Sequence, residues 1–254
     1  MNIIDRSIKK NKLLHTGIEI GTHFTTSDAN ALFEKNLKTQ PDDWYYRHNP
    51  VTYTINSDGY RAPEFSTVDW ANAVVIFGCS NVFGVGVSDE HTISSQLEKL
   101  INRPVINLGI SGSSIQCAVY NSAILAAGYP CPYAVIQLWS GPDRTILFTD
   151  SSFANYGPWT SPPNRFYDEW AQNDNPKITA LLYRIISRQI WTNRTHYVEA
   201  TLFASTAALF TCHDIKTEIK NMDLARDLTH PGRHAAAHIA AYFAEQLHTD
   251  DRHD

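Results

Sequence analysis

Short apolar runs alternating with segments of helical periodicity mark the chain from about residue 72 onward. AVVIF (73–77) is a continuous apolar run, as a parallel strand covered on both faces requires. HTISSQLEKLI (91–101) follows, with Ile93, Leu97, Leu100 and Ile101 at helical spacing. Pro104 then precedes VINLG, a second strand ending in glycine. SSIQCAVYNSAILAA (113–127) predicts a helix capped by Ser113 or Ser114, and YAVIQLW (133–139) a third strand. This β-α-β-α-β order implies right-handed crossovers and a parallel sheet.

Beyond residue 139 the pattern loosens. Residues 140 to 176 are rich in Pro, Asn, Ser and aromatics and read as a long irregular insertion, a kind of segment that is usually functional or mobile. KITALLYRIISRQIW (177–191) has the spacing of an amphipathic helix. YVEATLFAS (197–205) fits a fourth strand, although ATLFASTAALF fits a helix equally well. The last element runs from Pro231 to about Leu247, with Pro near the first helical position and Ile239, Tyr242, Phe243 and Leu247 on one side. Residues 1–70 differ: WYYRHNPVTYTINSDGYRAPE is aromatic and turn-rich, with strand-like alternation over 51–55. They are expected to form an N-terminal extension packed on a main domain that spans 71–254.

Composition narrows the class. With 254 residues, 43% hydrophobic and 19% charged, the chain is long enough for a sizeable core and has the balance of a soluble globular protein. A formal charge of −5 disfavours nucleic acid as a partner, since phosphate binding needs a clustered basic surface. The basic run Lys9-Lys10-Asn11-Lys12 reads as a solvated terminus. No apolar stretch of signal-peptide length follows it, and none reaches the ~20 residues of a membrane span, so a cytoplasmic address without membrane contact is expected. Cys79, Cys117, Cys131 and Cys212 show no CxxC spacing and are expected as reduced thiols.

In parallel α/β sheets, ligands sit beyond the carboxyl ends of the strands. There stand Gly78-Cys79-Ser80, then Asn107-Leu108-Gly109-Ile110-Ser111-Gly112-Ser113, then Trp139-Ser140-Gly141-Pro142-Asp143-Arg144; Asp227-Leu228-Thr229-His230-Pro231 stands near the C-terminus. A serine hydroxyl needs a base to act as nucleophile, and the base is normally a histidine oriented by a carboxylate. Asp227 and His230, three apart, allow one loop to supply both. Gly112, lacking a Cβ, can bring its N–H close to a ligand.

The order of these blocks resembles the SGNH hydrolases, also called GDSL esterases and lipases. Their opening strand-then-Gly-Asp-Ser is similar to FGCSNVFGVGV, their second block to NLGISG, and their closing Asp-x-x-His-Pro to Asp227-Leu228-Thr229-His230-Pro231, over roughly residues 72 to 247. The resemblance implies a three-layer α/β/α, flavodoxin-like fold with a mainly parallel sheet, Ser80 as nucleophile, His230 as base, Asp227 as its partner, and the N–H groups of Ser80 and Gly112 as oxyanion donors. It implies an ester hydrolase needing no cofactor and no metal, acting on a short O-acyl (acetyl) group of a carbohydrate or small molecule. Two positions depart from the pattern. Cys79 replaces an aspartate that is not one of the family's catalytic groups. LWSGPDR replaces the third block's Gly-x-Asn-Asp, which leaves Ser140 or Arg144 as substitute donors and Arg144 as a candidate substrate contact.

Several of these residues admit another reading. Cys79 is the more reactive group, but strand alternation would turn it into the core. His230, His234 and His238 invite a metal, yet Pro231 occupies the place of the glutamate in an H-E-x-x-H helix. His213-Asp214 reads as surface. GVGVSD lacks the lysine and spacing of a phosphate loop, and no G-x-S-x-G elbow surrounds Ser80 or Ser111. Arg61 is a turn residue that either buttresses the site or meets an anionic substrate. The aromatics of 140–176 either line a pocket or pack on one another. An O-acyltransferase using the same acyl-enzyme, or a binding protein retaining the fold, are the alternative functions; a binding protein should hold Ser80 and His230 apart. The oligomeric state is left open by the sequence.

Overall fold

A computed structural model describes residues 13–14, 28–148, 153–160 and 165–250. The basic run at 9–12 lies outside them. Five parallel strands form the central sheet: β1 (Val74–Gly78), β2 (Val105–Gly109), β3 (Ala134–Trp139), β6 (His196–Thr201) and the two-residue β7 (His213–Asp214), in the order β2-β1-β3-β6-β7. Counted along the sheet's own strands this is the flavodoxin-like order 2-1-3-4-5, whose switch point lies between β1 and β3. Every residue of β1, β2 and β3 is buried, the polar Asn107 and Gln137 included, as for strands covered by helices on both faces.

Alternate side chains of one strand feed opposite layers. Val74 and Ile76 join Ile93 and Leu97 of α4 (Ile93–Ile101) and Ile239 and Phe243 of α10 (Arg233–Asp250). Val75 and Phe77 face the other way, onto Cys117 and Leu125 of α5 (Ile115–Gly128) and Trp191 of α7 (Asn175–Trp191). The result is a three-layer α/β/α body. Thr92 caps α4 and Ser114 caps α5, each hydroxyl accepting the backbone N–H three residues on.

Several expectations need correction. Residues 140–176 are not irregular: they contain the hairpin β4 (Thr145–Phe148) and β5 (Phe153–Tyr156) and the helix α6 (Arg165–Ala171); 149–152 and 161–164 lie outside the described residues. Four-residue strands are too short to leave a periodic signal. Both readings of 197–205 hold in part, since β6 gives way to α8 (Ala204–Phe210). The 51–55 segment alternates buried and exposed as expected but forms no strand ladder; Val51, Tyr53 and Ile55 pack on Phe83, Val85, Val87 and Ala225 instead. Helix α10 starts at Arg233, not at Pro231. Pro231 bridges Leu224 across the neck of a loop, and the first N–H groups of the helix, those of His234 and Ala235, donate to the Asp223 carboxylate. Finally, α7 keeps its apolar stripe outside: Ile178, Leu182 and Ile185 are exposed, while Ala180, Ser187 and Trp191 face the body.

Candidate active site

Ser80 opens α3 (Ser80–Phe83), directly beyond the carboxyl end of β1. Its hydroxyl lies 2.7 Å from His230 Nε2, and His230 Nδ1 lies 2.6 Å from Asp227 Oδ2. One tautomer satisfies both contacts: Nδ1–H donates to the carboxylate and Nε2 accepts from Ser80. Asp227 is fully occupied, since its other oxygen accepts the backbone N–H groups of Thr229 (3.0 Å) and His230 (3.1 Å). Burial pushes the Asp227 carboxyl up, but the hydrogen bond from His230, the imidazole charge and the two backbone donors outweigh it and hold the group below the usual carboxylate value. It is therefore ionised at neutral pH. Leu228, between the two, takes a left-handed backbone (φ 57°), a conformation costly for a side chain with a Cβ.

The loop that carries this pair is closed on itself. Ala225 N–H donates to His230 O (2.9 Å), Leu228 N–H to Ala225 O (2.9 Å) and Gly232 N–H to Asp223 O (2.9 Å). It is also tied to the nucleophile loop through the N-terminal region. Asp28, 1% exposed, accepts from Arg226 Nε (2.8 Å) and from Tyr53 Oη (2.6 Å). Tyr53 Oη in turn accepts the N–H of Gly86 (2.6 Å), and Gly86 O accepts the N–H of Arg226 (3.0 Å). Gly86 has φ 78°, and a Cβ there would meet Ala225 Cβ at 2.8 Å, so only glycine lets the loops approach. Arg61 clamps the same nucleophile loop from the other side. It donates to Asp89 (2.6 Å) and to the carbonyls of Gly84 (2.6 Å) and Val87 (2.7 Å), so it is a buttress and not an anion receptor.

Cys79 is buried as expected, but its sulfur is not turned away. The backbone leaves β-strand alternation at Cys79 to enter α3, and Sγ stands 4.0 Å from Ser80 Oγ. Only Ser80 meets His230.

The opposite rim is built by the ends of β2 and β3. Gly112, with φ 73°, heads a turn in which Ser113 N–H donates to Ile110 O and Ser113 Oγ to Gly78 O (3.0 Å). Asn107 is not free to face a ligand, since its side chain donates to Val82 O (2.7 Å) and accepts Gly109 N–H (2.9 Å). Ser140 is buried; its carbonyl accepts from Thr206 Oγ1 (2.9 Å), but its Oγ has no protein partner. Arg144 Nη1 reaches Ser113 O at 3.4 Å, and its Nε is buried and unpartnered. The aromatics of 140–176 divide into buried and exposed ones. Phe153, Tyr156 and Tyr167 are buried, while Trp159 stays half exposed beside Gly112, at 3.5 Å from the place of a Cβ.

His213 and His238 both contact the Glu218 carboxylate, and among the described residues no group of three or more His, Cys, Asp or Glu is arranged to hold a metal. His213-Asp214 is nevertheless more than bare surface: it is the edge strand β7. No helix among the described residues is long and apolar enough to cross a membrane. Sequence reasoning missed Asp28, Tyr53 and Arg226, whereas Trp159 was among the aromatics expected either to line a pocket or to pack on one another. A buried Asp–Arg pair separated by 198 positions leaves no local pattern, and the one hint was the position of Arg226 beside Asp227.

No protein-family model matches the chain, and no curated protein does. Among solved structures the chain is similar to a member of the lipolytic protein G-D-S-L family from Veillonella parvula DSM 2008. The two share 12% identity and a TM-score of 0.44, over 68% of this chain and 96% of the other. It is also similar to an acetyl xylan esterase from the rumen bacterium Butyrivibrio proteoclasticus, at 12% identity and a TM-score of 0.44, over 72% of this chain and 65% of the other.

Proposed function

We propose that the protein is an SGNH-type serine hydrolase that cleaves a carboxylic ester, with Ser80, His230 and Asp227 as a catalytic triad. The observation that carries this is the continuous chain Ser80 Oγ–His230 Nε2 at 2.7 Å and His230 Nδ1–Asp227 Oδ2 at 2.6 Å, at the carboxyl end of a parallel sheet. A binding protein that had lost its chemistry has no need to keep a buried carboxylate aimed at an imidazole aimed at a hydroxyl.

In this mechanism Ser80 Oγ attacks the ester carbonyl while His230 Nε2 takes its proton, and Asp227 stabilises the imidazolium. The carbonyl oxygen, now anionic, is held by the N–H groups of Ser80 and Gly112, with Ser140 Oγ as the third donor in place of an asparagine. The tetrahedral species collapses, and His230 returns the proton to the departing alkoxide. Water then attacks the acyl-enzyme by the same route and releases the acid. The small residues at this rim (Gly112, Ser113, Ser140) favour a short acyl group such as acetyl.

The test is covalent labelling by a fluorophosphonate, which reacts only with an activated serine. Wild-type protein should label and hydrolyse 4-nitrophenyl acetate, and Ser80→Ala and His230→Ala should do neither. A wild-type protein that takes no label sinks the proposal.

A further inference from the structure

We propose that the ester carries an oxyanion substituent, a carboxylate or a sulfate, and that Arg144 receives it. This substrate class rests on the hydrolase function above. Among the described residues the buried Arg61 and Arg226 pair with Asp89 and Asp28, and the partly buried Arg184 pairs with Glu199; Arg144, also partly buried, does not follow them. Arg144 makes no ion pair among the described residues. Its single hydrogen bond is the 3.4 Å contact with Ser113 O, and its Nε is buried without a partner. Two aromatic rings flank the guanidinium, Trp159 at 4.8 Å and Phe203 at 4.9 Å.

Aromatic rings close to a cation exclude water from it without neutralising its charge. Such a group gains most from an anion that meets its planar fork with two parallel hydrogen bonds. Asp143, next along the chain, does not serve, because its carboxylate folds against Gly141. Position supplies the rest. Arg144 donates to the carbonyl of Ser113, whose hydroxyl donates to Gly78 O at the end of β1, so the cation stands on the turn to which the proposed function gives an oxyanion donor. Trp159, over whose ring the guanidinium sits, is 50% exposed, so this part of the surroundings of Arg144 opens to solvent. With a net charge of −5 the protein as a whole does not attract anions, so recognition of one has to be local.

Matched esters separate this role from that of a substitute oxyanion donor. The probes are 4-acetoxybenzoate, its neutral methyl ester and 4-acetoxybenzenesulfonate. The quantity read is the ratio of kcat/KM for the anionic ester to that for the neutral one. In Arg144→Gln the ratio should fall about 10- to 100-fold, chiefly through KM, with Arg144→Lys between the two. The carboxylate and sulfonate arms show which oxyanion fits. Equal losses for neutral and anionic esters would place Arg144 on the oxyanion and overturn the proposal, as would no change in either. A second arm does not need turnover: equilibrium binding of 4-hydroxybenzoate and 4-hydroxybenzamide to Ser80→Ala, with and without Arg144→Gln. Loss of benzoate binding alone supports charge recognition even where wild-type protein takes no fluorophosphonate and the hydrolase function fails. Benzoate and benzamide binding alike in both proteins overturns it.

Discussion

The two rims of the candidate site are built on opposite terms. On the rim of the two loops that carry Ser80 and His230, hydrogen bonds close on one another: Asp227 accepts three, Asp28 joins Arg226 to Tyr53, and Tyr53 holds Gly86. On the rim of β2 and β3, Ser140 Oγ and Arg144 Nε are buried with no protein partner. Buried polar atoms normally find partners, and leaving one without costs roughly 1–3 kcal/mol. The first rim fixes reacting groups to within fractions of an ångström, which nucleophile and base require. The second keeps donors uncommitted, so that they bond most strongly to what arrives. Removing a group should therefore damage stability on the first rim and substrate handling on the second.

The largest expected effect is at Asp28. Asp28→Ala leaves the Arg226 guanidinium, 4% exposed, buried without its carboxylate. Breaking a buried pair in this way costs about 3–5 kcal/mol, to be read as a lower urea midpoint at unchanged m-value. Arg144→Gln on the other rim should stay within about 1 kcal/mol of wild type. Similar losses at both sites would erase the distinction.

Tyr53→Phe is a finer cut through the same network. It keeps the ring, which packs edge-on to Phe83 at 5.6 Å, and removes only the hydroxyl between Asp28 and Gly86 N–H. A loss of about 1–3 kcal/mol is expected, for a buried donor and acceptor left without that partner. Because Gly86 then loses its tie to the N-terminal region, fluorophosphonate labelling should slow as well, with the acid limb of its pH profile unmoved.

How far these contrasts were legible depends on distance along the chain. The continuous apolar run at 73–77 and the mainly apolar runs at 105–109 and 133–139 announced parallel strands, and Asp227-x-x-His230-Pro231 announced a loop able to hold acid and base together. Those signals are local. The alternation of Val51, Tyr53 and Ile55 was correct for burial and misleading for strand pairing, because period two records which side is covered and not what covers it. In α7 the apolar periodicity was real but belongs to the outward face; the inward face is carried by small Ala180 and Ser187, which allow close packing on α5. The Asp28–Arg226 pair spans 198 positions and leaves no local pattern beyond the place of Arg226 beside Asp227.

Acid should loosen the first rim through Asp227. Its folded-state carboxyl is held below the usual value, so folding binds fewer protons there than the unfolded chain does. The resulting stability is present in full above the unfolded value, about 3.9, and is lost as pH falls through the folded value. Urea midpoints measured from about pH 6 to pH 3 should therefore drop more steeply in wild type than in Asp227→Asn. Parallel curves would mean that the Asp227 carboxyl is not held below its unfolded value.

The smallest expected change in stability is at Ser140, and there the two rims are told apart most sharply. Its hydroxyl has no protein partner, so Ser140→Ala removes a desolvated polar atom and sacrifices no hydrogen bond. Stability should stay within about 0.5 kcal/mol of wild type or rise slightly. If that hydroxyl meets the oxyanion, kcat for a neutral ester should nevertheless fall by about 10²–10³, as for loss of one oxyanion donor, with KM little changed. A stable variant with intact kcat would leave the hole to the N–H groups of Ser80 and Gly112, and the missing asparagine would then have no replacement on this rim. A stable variant with a collapsed kcat would mean that a buried, unpartnered hydroxyl is the form in which this fold keeps its third donor.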